Sequence, residues 1–360
     1  MKKLLSLMFS LSLSAALLAG CSSSGESDAF QASSGPDSPS SSQSAATEAL
    51  DVNVMALKGP TAIGMVKMME ENESLSAQEK QPEEDAAPTG IICNFTITAM
   101  PDEVSAALAQ ENADIAAVPA NLASVLYNNT DGGVQVLAIN TLGVLYIVES
   151  GNSVQSMEDL RGKTIYASGK GGTPEYALNH VLIQNGIDPL TDVSVEWKSE
   201  HAECLAALTA QENAVAMLPP PFVTTAQSKS DRIRVALDLT EEWNKLQAGS
   251  APPSTLVTGV VVARTAFVKA HPEAVSAFLD QYASSVEFVN THVEDAAQLV
   301  GSYEIVTAEV AQKAIPACNI VFIEGSEMKD KLSGYLTVLF DQNAKSVGGA
   351  LPADDFYYSR

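Results

Sequence analysis

Ten residues in the first half of the chain return, one residue shorter, in the second half: QENADIAAVP at 110–119 and QENAVAMLP at 211–219. The same order of signals surrounds both copies. An apolar, β-prone run leads into a loop carrying Gly, Pro and Thr and then a helix, first at Lys58-Gly59-Pro60-Thr61 and later at Gly169-Lys170-Gly171-Gly172-Thr173-Pro174. Each unit is followed by a helix and a strand that ends in proline. Such a repeat constrains the chain to two similar lobes. Helices alternate with strands up to residue 263, so each lobe is expected to be α/β, a mostly parallel sheet flanked by helices. Ligands of open α/β sheets sit beyond the carboxyl ends of the strands. Two facing lobes therefore aim four loops into one cleft: residues 58–61, 119–121, 169–174 and 219–222.

The glycine loop of the second lobe is the sharpest of the four. Thr173 suits an N-cap, Pro174 the first helical position, and Glu175 the positive end of the helix dipole. A strand ending at a helix N-terminus leaves backbone N–H groups facing a ligand. Spacing excludes both nucleotide readings. Gly171 follows Lys170 where a Walker loop needs Ser or Thr, and Pro174 stands where a dinucleotide fingerprint needs its third Gly.

The chain has 44 Asp plus Glu against 20 Lys plus Arg, a net charge of −24, which argues against nucleic acid and anionic lipid as partners. No Gly-x-Ser-x-Gly nucleophile elbow is present, and His180, His201, His271 and His292 fall on expected helices or their flanks, outside the four loops. No catalytic residue and no cofactor is expected. Cys93, Cys204 and Cys318 are too few and too scattered for a disulfide framework and are expected as buried free thiols. His201 and Cys204 could share one helix face, but two ligands do not make a metal site.

Several boundaries follow from composition. Residues 1–20 combine Lys2-Lys3 with an apolar run too short to span a bilayer. Leu18-Ala19-Gly20-Cys21 resembles a bacterial lipobox, which implies cleavage before Cys21 and a lipid on its thiol. The Ser-rich stretch 21–49 reads as a flexible tether. The first lobe is assigned to 50–141, the second to 142–255, and 256–360 returns to the first lobe. A helix is expected to run unbroken from Thr61 through Met69, and residues 70–90 to form a polar, acidic excursion without a site. A break at 140–143 between two strands marks a crossing between lobes.

In order and spacing, the lipobox, the tether, KGPTAIG, DIAAVPANLASVLY, NTLGVLYIVE, MEDLRGKTIYASGKGGTPEYAL, PPPFVTTA and VVVARTAFVKAHPEAVSAFL resemble the substrate-binding lipoproteins of ABC importers. The branch is the nitrate/sulfonate/taurine and thiamine-pyrimidine group, and the likeness covers about 51–345. The resemblance implies a type II periplasmic-binding-protein fold whose lobes close on a small molecule and pass it to an ABC permease. It implies first-lobe contacts at Gly59, Pro60, Thr61 and Asn121, crossover contacts at Thr141 and Leu142, and second-lobe contacts at Gly172, Thr173, Pro220 and Phe222.

Lys58 and Lys170 are candidate charges, and Gly171 belongs to the same loop. No arginine lies in any of the loops, which disfavours an amino acid held by a guanidinium clamp. Two ligand classes remain: a sulfonate-like anion and a pyrimidine-like heterocycle. Tyr146, Tyr166, Tyr176 and Phe222, as candidate stacking rings, tilt the choice toward a heterocycle or an organic molecule over a bare oxyanion. The protein is expected to act as a monomer that binds without chemistry; a ligand-sensing receptor, and less readily a secreted enzyme, are the alternatives.

Overall fold

The computed structural model describes residues 49–79, 90–247 and 254–360. The expected signal peptide, most of the expected tether, the expected lipidation site Cys21 and residues 80–89 of the acidic excursion lie outside the described residues.

The strands are β1 (Leu50–Leu57), β2 (Ile91–Thr98), β3 (Ile115–Pro119), β4 (Val134–Leu142), β5 (Tyr146–Ser150), β6 (Thr164–Ser168), β7 (Ser194–Lys198), β8 (Val215–Leu218), β9 (Ile233–Asp238), β10 (Val257–Arg264) and β11 (Ile320–Ile323). The helices up to residue 229 are α1 (Pro60–Ile63), α2 (Val66–Glu79), α3 (Pro101–Ala109), α4 (Ala120–Asn129), α5 (Thr173–Gln184), α6 (His201–Ala210) and α7 (Pro220–Lys229). After them come α8 (Leu239–Gln247), α9 (Thr265–Ala270), α10 (Pro272–Thr291), α11 (Val293–Ser302), α12 (Ala308–Ala314) and α13 (Gly325–Gln342).

Two sheets result, ordered β11-β4-β10-β3-β1-β2 and β7-β6-β8-β5-β9. Leaving out β11, the two orders match strand for strand, and the repeat in the sequence becomes a repeat in space. Ile115 pairs with Val54 as Val215 pairs with Ile165, and β1 and β6 both end three residues later, at Leu57 and Ser168. The expectation of mostly parallel sheets holds for strand direction but not for pairing. In each lobe one strand arriving from a crossover, β10 or β5, wedges between two strands that run the other way and pairs antiparallel with both.

Other boundaries differ from the sequence expectations for local reasons. The first helix does not run through Met69. It stops at Gly64, where a Cβ would stand 3.1 Å from both Ile320 Cγ2 and the Tyr282 hydroxyl, and restarts as α2. That second helix carries the start of the acidic stretch, because buried Asn72 anchors it. The amide of Asn72 donates to Met68 O and Gln281 Oε1 and accepts from Cys93 N–H. The crossing between lobes comes at 143–145, and Thr141 and Leu142 belong to β4.

Cys93, Cys204 and Cys318 are buried and free. One apolar cluster runs from Val118, Val260 and Tyr335 on the first lobe's elements to Leu145, Ala177 and Trp243 on the second lobe's.

Candidate functional site

The glycine loop closes on itself before it meets anything else. Gly169 and Gly171 take left-handed φ values of 84° and 78°, and Gly172 N–H turns back to Gly169 O at 3.0 Å. The helix starts one residue earlier than its sequence suggests. Gly172 is the N-cap, Thr173 and Pro174 occupy the first turn, and no side chain caps the end. Glu175 Oε2 accepts the Gly171 N–H at 2.6 Å. A carboxylate thus occupies the donor that Gly171 would have offered a ligand, while the N–H of Thr173, at the first helical position, has no intrahelical acceptor.

Facing this loop, the other lobe presents Asn121 at the start of α4. Its Nδ2 donates to Gly171 O at 3.3 Å, and its Oδ1 accepts the Thr173 hydroxyl at 3.2 Å. Asn121 is 2% exposed and Thr173 fully buried, so the bond between them forms away from bulk water, while the one to Gly171 reaches an exposed residue. Of the candidate contacts these three residues, Asn121, Gly171 and Thr173, are brought together across the lobes.

The first-lobe loop sits deeper. Gly59 caps α1 at φ 128°, Pro60 is half-buried, and the Thr61 hydroxyl donates to Leu57 O at 2.8 Å. Thr61, Asn140 and Thr141 gather over Gly259 of β10, where a Cβ would lie 2.6 Å from Thr61 Cγ2 and 2.4 Å from Asn140 Oδ1. Asn140 Oδ1 and Thr141 Oγ1 are buried without a hydrogen-bond partner among the described residues. Leu142 is engaged elsewhere, its N–H donating to Asn319 O at 3.1 Å.

The three prolines at 219–221 are no loop. Pro220 opens α7, since proline fits the first helical turn, and Phe222 rides on that helix with its ring 5.1 Å from His201. His201, which opens α6 and belongs to none of the four loops, as expected, nonetheless stands beside two of them. Its Nδ1 is 2.6 Å from Ser168 Oγ, the last residue before the glycine loop, and burial pushes its imidazole down to about 4. It is neutral at physiological pH. Of the four candidate rings, Tyr166 is buried and Tyr146, Tyr176 and Phe222 are half-buried against the core clusters. Lys58 and Lys170 are exposed.

On the far side of the interface α7 faces α12 of the first lobe. These loops, with His201 beside them, offer hydroxyls, amides, backbone N–H groups and a neutral imidazole, and Lys58 and Lys170 are the loops' charged side chains among the described residues, both exposed.

The ABC-transporter phosphonate periplasmic substrate-binding proteins match residues 86–312, well over half of the chain. This protein belongs to that family. It is thus the extracytoplasmic substrate-binding component of an ABC transporter, and no helix among the described residues is long and apolar enough to cross a membrane. No curated protein of similar sequence is found.

Solved structures share the fold along nearly their whole length. An ABC transporter protein from Parabacteroides distasonis superposes with a TM-score of 0.67 at 22% identity, over 86% of this chain and 99% of that one. The aliphatic sulphonate binding protein SsuA of Escherichia coli does so with a TM-score of 0.65 at 14% identity, over 86% and 92%. A sulfonate-binding SsuA from Methylobacillus flagellatus reaches 0.57 at 18% identity, over 86% and 91%.

Proposed function

We propose that this binding protein captures a small organic oxyanion, of phosphonate or sulfonate type, between its lobes, releases it unchanged to the permease and works as a monomer. The observation that carries the reading is the meeting of Asn121 with the N-terminus of α5. That meeting sets an uncapped helix end, with the free N–H of Thr173, against the opposite lobe, where partial positive charge favours an anion by about 0.3–1 kcal/mol. The ligand contacts on this reading are Gly59, Pro60, Thr61, Thr141, Gly172 and Thr173, with Pro220 and Phe222 at the rim and Lys58 and Lys170 adding long-range attraction.

The heterocycle reading loses ground, because the tyrosines that favoured it pack into the cores. An oxyanion is also what the family description and the sulfonate-binding structures name for their own members. The lobes are taken as 50–142 with 256–360, and 146–255, joined at 143–145, so Leu142 falls to the first lobe and not, as its sequence suggested, to the second. The lipobox supports export, cleavage and anchoring through Cys21, with 21–49 as the tether.

A thermal-shift series with phosphonates, sulfonates, nitrate and pyrimidines tests the ligand class. Ligand at a hundred times Kd stabilises by about 2.7 kcal/mol. A shift with pyrimidines alone would overturn the oxyanion reading, and turnover of any hit would overturn binding without chemistry.

A further inference from the structure

Carbonyls of residues 346–350 are held to α4 by three side chains on successive turns. Ser124 Oγ donates to Val347 O at 2.7 Å, and Asn128 Nδ2 donates to Val347 O and Ala350 O at 2.7 and 2.8 Å. Asn121 Nδ2 donates to Ser346 O at 3.2 Å. Only Asn121 also crosses to the other lobe, through Gly171 O and the Thr173 hydroxyl. The two carbonyls fix the amide's orientation, since only its NH2 can donate to both, and that leaves Oδ1 to accept from Thr173. Both donors and the acceptor of this buried amide are thus turned toward protein atoms. A third group stands by: the Tyr335 hydroxyl of α13, fully buried, lies beside the same Thr173.

We propose that Asn121 is a positioning residue that latches the two lobes and makes no contact with the ligand. The carbonyl of Ser346 holds the amide, the amide holds the Thr173 hydroxyl, and the backbone N–H of Thr173 is left to meet the ligand. The proposal rests on the cleft being a ligand site that closes, and it changes the role of one residue that sequence reasoning placed in contact with ligand. A latch favours the closed state by its differential bonding alone, and apparent affinity scales with the closed fraction.

The test compares the full chain with Asn121→Ala, Thr173→Val and Thr173→Ser variants, each spin-labelled at exposed Asp102 on one lobe and exposed Ala202 on the other after replacement by Cys. Interlobe distances are read with and without methylphosphonate, and its affinity by calorimetry. Asn121→Ala and Thr173→Val are expected to lengthen the interlobe distance and to weaken methylphosphonate about tenfold, with Thr173→Ser restoring both. Thr173→Val is isosteric, so it keeps the test alive if Asn121→Ala does not fold. Weaker binding with unchanged distances makes Asn121 a direct ligand contact and overturns the latch while leaving the binding function standing. Unchanged distances and affinity overturn it as well. If the parent protein binds no phosphonate or sulfonate, the proposed ligand class fails, and the distances still decide the latch.

Discussion

Glu149, at the end of the short crossover strand β5, is fully buried yet charged. Burial alone would raise its pKa, but the Ser153 hydroxyl and the N–H groups of Ser153 and Val154 donate to it, and Arg234 lies at 3.0 Å. These outweigh burial and leave the pKa lowered. A lowered carboxyl contributes stability that is present above the unfolded value of about 4.3 and is lost as pH falls through the folded one. Glu149→Gln is therefore expected to cost about 3 kcal/mol at neutral pH, and the gap to the parent protein to close on acidification. Urea denaturation across pH checks this, and a gap that persists in acid would refute it. His201 titrates in a different window. Its imidazole is held near 4 in the fold against 6.5 unfolded, so the unfolded chain gains a proton first and stability falls between those values. His201→Gln is expected to flatten the stability profile from pH 6.5 down to about 4, and an unchanged slope would count against the burial that sets this pKa.

Among the elements, the crossover is the most tightly specified. A Cβ on Gly143 would lie 2.2 Å from Thr240 Oγ1 and 3.0 Å from Leu256 Cδ2, so the β4–β5 crossing, the start of α8 and the approach to β10 meet at one glycine. Gly143→Ala is expected to cost about 1–3 kcal/mol by overpacking, and Thr240→Ala to return part of that. Additive losses in the double variant would mean the contact is not the cause.

The sequence made the alternation of strands and helices legible because side-chain period reports which face is buried, and the glycine loop because Gly takes the positive φ values at 169 and 171 without the steric cost other residues bear. Other elements hid for physical reasons. The start of α7 lies behind three prolines that read as loop, and β11 is only four residues long. Leu239, Trp243 and Leu246 mark one face of α8 at helical spacing, a signal available but unused. Within the site, the residue types at 121 and 173 were legible and their bonds were not. The carbonyl that holds Asn121 belongs to Ser346, 225 residues away, and no local pattern records such a partner.

Across the whole molecule each sheet has an apolar cluster of its own, around Val54 and Phe278 in the first lobe and around Tyr166 and Leu208 in the second, and a third cluster is shared between them. The apolar cluster that carries Val118 and Val260 of the first lobe continues through Leu256 and Leu145 at the crossover to Ala177, Leu178 and Trp243 of the second. Trp243 marks the junction. It is fully buried, with the His180 ring 4.5 Å away on α5 and the Tyr335 ring 5.5 Å away on α13, so its surroundings come from both lobes. Loss of either lobe would strip apolar contacts from the other, at about 25 cal/mol per Å² of surface returned to water. Unfolding is therefore expected to be one cooperative transition. With Trp197, the other of the two tryptophans, replaced by Phe, the fluorescence of Trp243 and the far-UV circular dichroism should share one midpoint, and saturating methylphosphonate should move both together. Two midpoints, with ligand moving only one, would mean that the lobes fold as independent units and that the shared cluster couples them too weakly to matter.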